Sequence, residues 1–244
     1  MSIYAMSDLH LAISDPDKTM EVFGNGWDNY MQRIKENCEA VLKEGDTLLM
    51  PGDISWVMYL KDGYEDFKFI NDLPGKKIIG RGNHDYYWTT AKKLRDKFSE
   101  WGFDSLEIVR NNCIPVEDCL VTGTRGWKFP WDDDFSSEDR KILDRELIRI
   151  GLCARALADG DPEHRYRHIL MLHYPPLSKD HEVTEFTEVI EKYDIDLCIY
   201  GHLHGRSHLK AFEGKRDGEG PLYRCVSGDF LKFKPLEIGR FETF

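Results

Sequence analysis

CIYGHLHG, Cys198 to Gly205, runs from a short apolar strand into two histidines separated by one leucine. In extended backbone alternate side chains face the same side, so His202 and His204 can converge on one object. The glycines on either side let the chain turn tightly around it. A single histidine at a strand end is more often satisfied by its own surroundings than given to a ligand. The pair therefore gains meaning only from what other strand ends carry.

Four more apolar runs end in the same way. "YAM" leads into Ser7-Asp8-Leu9-His10, "LLM" into Pro51-Gly52-Asp53, "IIG" into Arg81-Gly82-Asn83-His84-Asp85, and "LML" into His173-Tyr174. Five of the nine histidines (His10, His84, His173, His202, His204) fall in these turns. In open α/β sheets, ligands bind outside the carboxyl ends of the strands. Five such ends bearing Asp, His and Asn predict one shared rim.

Around these turns the pattern alternates. Strand character is found at 3–6, 47–50, 77–80, 106–109, 120–123, 169–172, 197–200 and 223–227. Helical period links Tyr30, Met31, Ile34, Cys38, Val41 and Leu42, with Gly45 as the stop. It links Leu94, Phe98 and Trp101 as well. A longer helix is expected from about Glu138 to Ala158, capped by Ser136 or Ser137, and a short one in "EFTEVIEKY". Strands alternating with helices predict βαβ units and largely parallel pairing. After Leu209, short runs with glycine turns predict antiparallel hairpins. With no repeat and no linker, one domain of mixed α and β layers over residues 1–244 is expected. Residues 125–139, aromatic, proline-broken and acidic, read as a long surface loop over the site.

Composition narrows the class of function. Acidic side chains outnumber basic ones 44 to 33, a formal charge of −11, which disfavours a nucleic-acid partner. No run of about 18 apolar residues could span a bilayer, and the N-terminus lacks a secretion signal, so a cytoplasmic protein is expected. The six cysteines form no C-x-x-C pair and read as reduced thiols. Oligomeric state is left open.

Imidazole, carboxylate and one amide, with no thiolate, suit divalent manganese, iron or zinc. Seven side chains (Asp8, His10, Asp53, Asn83, His173, His202, His204) are too many for one ion with an open position, whereas two ions bridged by a carboxylate fit. Such a pair generates a hydroxide at neutral pH and clamps an in-line displacement, for which phosphate ester hydrolysis is the natural reaction.

The order D-x-H, G-D, G-N-H-D, H, G-H-x-H, over residues 8 to 204, resembles the calcineurin-like metallophosphoesterase superfamily. The resemblance implies a four-layer αββα sandwich, an α/β fold of two mixed sheets flanked by helices. It implies that Asp8, His10 and His204 hold one ion, that Asn83, His173 and His202 hold the other, and that Asp53 bridges. A hydroxide between the ions would attack phosphorus, and His84 would protonate the leaving oxygen or hold the phosphate. The substrate would be a small-molecule phosphomonoester or phosphodiester. A manganese-dependent nuclease and a non-catalytic scaffold are the alternatives; the charge opposes the first, and the full donor set opposes the second.

Departures from the superfamily matter too. Its phosphoprotein phosphatases carry G-D-x-V-D-R-G where this chain reads Gly52-Asp53-Ile54-Ser55-Trp56-Val57-Met58. Trp56 replaces the aspartate that would orient His84, and Asp85 is the nearest substitute in sequence. Val57 replaces a phosphate-binding arginine, which argues against that subfamily. Arg81 is a candidate for phosphate contact or for a structural salt bridge. His164, His168, His181 and His208 read as surface or supporting residues. Trp127, Trp131, Tyr86, Tyr87 and Trp88 could wall a substrate ring or serve packing.

Overall fold

The eight apolar runs all become strands, and they sort into two mixed sheets. A computed structural model describes residues 1–24 and 26–238. The first sheet contains β1 (Ile3–Ala5), β2 (Thr47–Met50), β3 (Lys76–Ile79), β4 (Leu106–Ile108) and β11 (Leu236–Glu237). Its order is β11-β1-β2-β3-β4, parallel except for the β11 edge. The second contains β5 (Ile114–Val116), β6 (Cys119–Thr124), β7 (Arg167–Leu172), β8 (Leu197–Tyr200), β9 (Gly214–Lys215) and β10 (Leu222–Cys225). Its order is β5-β6-β7-β8-β10-β9. Strands β6, β7, β8 and β10 are parallel, with antiparallel β5 and β9 at the edges. The expected hairpin after Leu209 is half right. β9 does pair antiparallel with β10, but β10 itself lies parallel to β8.

Apolar residues divide into three layers of core. Helices α1 (Tyr30–Val41), α2 (Tyr64–Asp72) and α3 (Ala91–Trp101) cover the first sheet with Ile34, Cys38, Phe67, Ile70, Leu94 and Phe98. Helices α4 (Ser137–Gly160) and α5 (Glu185–Glu191) cover the second with Leu143, Ile150, Leu157, Phe186 and Ile190. Between the sheets lie Ala5, Leu49 and Ile78 from one side and Val121, Ile169 and Ile199 from the other. Every residue of β2 and β8 is buried, as expected for strands covered on both faces. The result is the four-layer sandwich. All six cysteines are free thiols. Among the described residues no helix is long and apolar enough to cross a membrane.

The two sheets meet beside the strand ends that matter. Ser7, just past β1, forms a parallel bridge with Ser227, just past β10, and its amide donates to Val226 O at 2.8 Å. Beyond this join, β1, β2 and β3 of one sheet and β7 and β8 of the other run out onto one rim. Helix α4 starts on a capping box in which the Ser136 side chain and Asp139 serve each other's amides, so Ser136 is the cap. That start fixes the end of the 125–136 loop, which lies along the same rim.

Candidate metal centre

All seven side chains singled out in the sequence meet on this rim, in two groups that share one oxygen. In the first, His204 Nε2 lies 3.3 Å from both Asp8 Oδ1 and His10 Nε2, and His10 Nε2 lies 3.7 Å from Asp53 Oδ2. In the second, Asn83 Oδ1 lies 2.6 Å from His173 Nε2 and 3.0 Å from His202 Nδ1, and His173 Nε2 lies 3.3 Å from Asp53 Oδ2. Asp53 Oδ2 belongs to both groups, is buried, and has no hydrogen-bond partner among the described residues. A buried carboxylate oxygen ringed by imidazole nitrogens fits a cation on either side of it, and the donors are those that divalent Mn, Fe or Zn accept.

Backbone geometry aims these groups. Asp8, His10, Asp53 and His202 all have φ between 45° and 71°, left-handed conformations that side-chain-bearing residues adopt at a cost. Hydrogen bonds hold the turns together: the Asp8 amide donates to Gly52 O and the His10 amide to Asp53 O, both at 3.0 Å. Asp85 accepts the amides of Gly82, Asp53 and Ile54 at 2.6, 3.0 and 2.8 Å. Two glycines are required by close approach. A Cβ on Gly82 would stand 2.0 Å from Asp53 Oδ1, and one on Gly201 would stand 2.2 Å from Asp8 Oδ2.

Ring orientation is fixed from behind. His204 Nδ1 donates to Asp229 Oδ1 at 2.9 Å and His173 Nδ1 to the Pro51 carbonyl at 3.2 Å. These acceptors can only accept, so in the neutral rings each Nε2 keeps its lone pair for the centre. Trp56 stacks on His10 at 4.8 Å, and Tyr174 lies against His202 at 4.2 Å.

The electrostatics are those of a site short of positive charge. Burial would raise the Asp8 carboxyl, but the hydrogen bond and charge of His204 overcome it and hold Asp8 at about 2. Asp53 is likewise held well below the usual carboxylate range, burial being outweighed by His173 and His10. Burial depresses His10 to about 4 and His202 to about 3. His204 goes the other way: burial lowers it, yet Asp229 and Asp8 together raise it to about 10. His173 is raised too, with Asp53 overcoming burial.

A family model described as calcineurin-like phosphoesterase matches residues 1–206. The chain belongs to that family. It is accordingly a metal-dependent phosphoesterase, and the family implies divalent metal ions and phosphate ester substrates. Among solved structures, the phosphopantetheinyl hydrolase of Mycobacterium tuberculosis is similar at 13% identity, with 100% of this chain and 97% of that chain covered and a TM-score of 0.55. A Thermus thermophilus protein is similar at 13% identity, with 97% of each chain covered and a TM-score of 0.51. These likenesses concern the fold. No curated protein matches the chain.

Around the centre, several expectations need revision. Asp85 does not orient His84, because its oxygens are taken by the three amides. Instead Tyr86 Oη lies 3.1 Å from His84 Nδ1, and Trp56 packs 4.6 Å from the ring. Arg81 forms no ion pair among the described residues, and its Nε is buried without an acceptor, which removes the salt-bridge reading. Tyr87 and Trp88 belong to the core under the first sheet, whereas Trp127 and Trp131 line a cleft of about 620 Å³ that reaches Asn83 and His202. His168 is buried, with Nε2 3.3 Å from Asp161. His208 lies 3.2 Å from Asp229 and so supports His204 at one remove. Asp229 itself was missed. It follows β10 in "SGDF", a sixth apolar run ending in Gly-Asp, and that signal would have found it.

Proposed function

We propose that the chain hydrolyses a phosphomonoester or phosphodiester of a small molecule at a dinuclear centre. Asp8, His10 and His204 would hold one divalent cation, Asn83, His173 and His202 the other, and Asp53 would bridge them. The observation that carries this reading is the pair of donor groups sharing Asp53 Oδ2. Two such cations, when bound, supply Lewis acidity toward the phosphoryl oxygens and make water a competent nucleophile near neutral pH. The chain's own part is orientation and proton transfer. His84, held through Nδ1 by Tyr86, gives a proton to the leaving oxygen. Arg81 offers a guanidinium to a phosphate of the substrate. Trp56 and Tyr174 shield the imidazoles from water on their outer faces, and the cleft beside Asn83 and His202 takes the leaving group. A formal charge of −11 speaks against a nucleic-acid substrate. A panel of aryl mono- and diesters, nucleotides and single- and double-stranded DNA, run with Mn²⁺, Fe²⁺ or Zn²⁺, tests this directly. Turnover of small esters is expected, and inertness toward all of them would overturn the assignment.

Two further results are expected of the metal-binding step. In the metal-free protein, His204 and His173 are both raised, and at pH 7 His204 carries a proton that a cation must displace. Asp8 and Asp53, held low, are already ionised and release none. Loading at pH 7 should therefore liberate roughly one to two protons per chain, and apparent affinity should tighten as pH rises toward 10, the value for His204. Titration of MnCl₂ into weakly buffered protein with an indicator dye measures this; no acidification would sink His204 as a donor. Separately, Asp229→Asn removes the charge behind His204 while keeping its shape. The Mn²⁺ concentration for half-maximal activity should rise roughly 10–100-fold, and an unshifted activation curve would show that Asp229 does nothing for the centre.

A further inference from the structure

Three arginines leave strand ends beside the centre and have little carboxylate charge to answer them. Arg81 follows β3, Arg110 follows β4 and Arg125 follows β6, so all three leave strand ends on the functional rim. Each is half-buried. None forms an ion pair among the described residues. The local acid is Glu146, fully buried, and it is already engaged: it accepts from Thr124 Oγ1 at 2.7 Å and from the Gly126 amide at 3.2 Å, and it pairs with Arg149. Glu146 also acts on Arg110 and Arg125, where the repelling fields of Arg81 and Arg149 oppose it. Arg81 Nε and Arg125 Nε are buried donors without an acceptor among the described residues. In a chain with 44 acidic side chains against 33 basic ones, this is a positive focus in which the one nearby carboxylate, Glu146, is shared among several guanidiniums.

Such an arrangement is unfavourable by itself. Partly desolvated like charges repel, and a buried N–H without an acceptor forfeits the hydrogen bond it had in water. Planar guanidiniums presenting several N–H donors match the oxygens of a phosphate, to which they bind bidentately. The location is equally pointed. Arg81 lies two residues before Asn83. The Arg125 carbonyl accepts the amides of His173 and Tyr174 at 2.9 and 3.0 Å, so its backbone is fastened to the second donor group. The Arg125 guanidinium stacks 4.1 Å over Trp127, whose ring also lines the cleft.

We infer that Arg81, Arg110 and Arg125 form a subsite for a second phosphate of the substrate, so that the preferred ester carries a phosphate group besides the scissile one. This rests on the phosphohydrolase reading above and adds a substrate class to it. Guanidiniums in excess of the acid beside them select for anionic charge; an uncharged leaving group would leave that excess unanswered.

Adenosine 3′,5′-bisphosphate and adenosine 5′-monophosphate form a matched pair of probes, differing in one phosphate. On the metal-loaded enzyme the bisphosphate should bind at least about tenfold more tightly, measured by calorimetry and as competition with aryl phosphate hydrolysis. Arg110→Gln should erase that preference while leaving aryl phosphate turnover unchanged, and Arg110→Lys should restore part of it. Equal affinity for the two probes in the wild-type enzyme, or a preference that survives Arg110→Gln, overturns the subsite. The readings fail separately: an enzyme that turns over aryl phosphate without the preference disproves only the subsite. A protein inert toward every ester disproves the phosphohydrolase reading, while the calorimetric comparison still decides whether the arginines bind the second phosphate.

Discussion

Asp53→Asn is expected to lower kcat/KM on an aryl phosphate at least about a thousandfold, roughly 4 kcal/mol of transition-state stabilisation. Asp53 Oδ2 is the one atom common to both donor groups, 3.3 Å from His173 Nε2 and 3.7 Å from His10 Nε2. An amide at that position has no charge to place between two cations, and its NH₂ would present hydrogens where lone pairs are needed. The fold should survive the change. The other oxygen, Oδ1, accepts the His84 amide at 2.8 Å, a bond that the asparagine carbonyl can keep. Circular dichroism should be unchanged while bound metal per chain falls. Wild-type turnover in a correctly folded Asp53→Asn protein would remove the bridge, and the dinuclear reading with it.

Much of this centre was legible because its residues are carried by backbone signals. Apolar runs such as "TLLM" and "LCIY" are buried on both faces, and the turns after them all leave the sheets on one rim. The seven side chains could therefore be gathered before any coordinates, and so could α1, α3, α4 and α5 from their apolar period. Less was visible where the deciding quantity is tertiary. Strands β9 and β11 have two residues each, too short for any periodicity, and α2 starts at Gly63 without a capping side chain. That β10 lies parallel to β8 is settled by its neighbour, not by its own residues. Asp85 was only the nearest carboxylate to His84 in sequence. Adjacent residues point different ways, however, and three amides claim it instead. His202 presents Nδ1 where His10, His173 and His204 present Nε2, and its ring lies against Tyr174. Arg110 and Arg125 are ordinary cations in the sequence; only the tertiary structure shows that the acid near them, Glu146, is already engaged by Thr124, Gly126 and Arg149.

The second large effect concerns His84, and it separates two roles that the geometry permits. The imidazole is half-buried, with Nδ1 at Tyr86 Oη and its ring 4.6 Å from Trp56 and 5.6 Å from His10. Burial and the neighbouring imidazoles lower its pKa despite the pull of Asp53, so protonation of His84 must be regained when an anionic substrate arrives. If His84 is the general acid, His84→Ala should cost kcat roughly 10²–10⁴-fold on an alkyl phosphate, whose leaving oxygen is strongly basic. The same variant should lose far less on p-nitrophenyl phosphate, whose leaving group departs without a proton. The alkaline limb of the wild-type pH profile should also vanish in the variant, since that limb reports the acid's deprotonation. A residue that only grips the phosphate would behave otherwise: KM would rise equally for both esters, and the pH profile would keep its shape. Tyr86→Phe provides the graded control. It leaves the ring in place and removes the hydroxyl at Nδ1, so its loss should be smaller and should follow the same leaving-group order. Equal losses on alkyl and aryl esters in both variants would take proton transfer away from His84 and leave it a binding role.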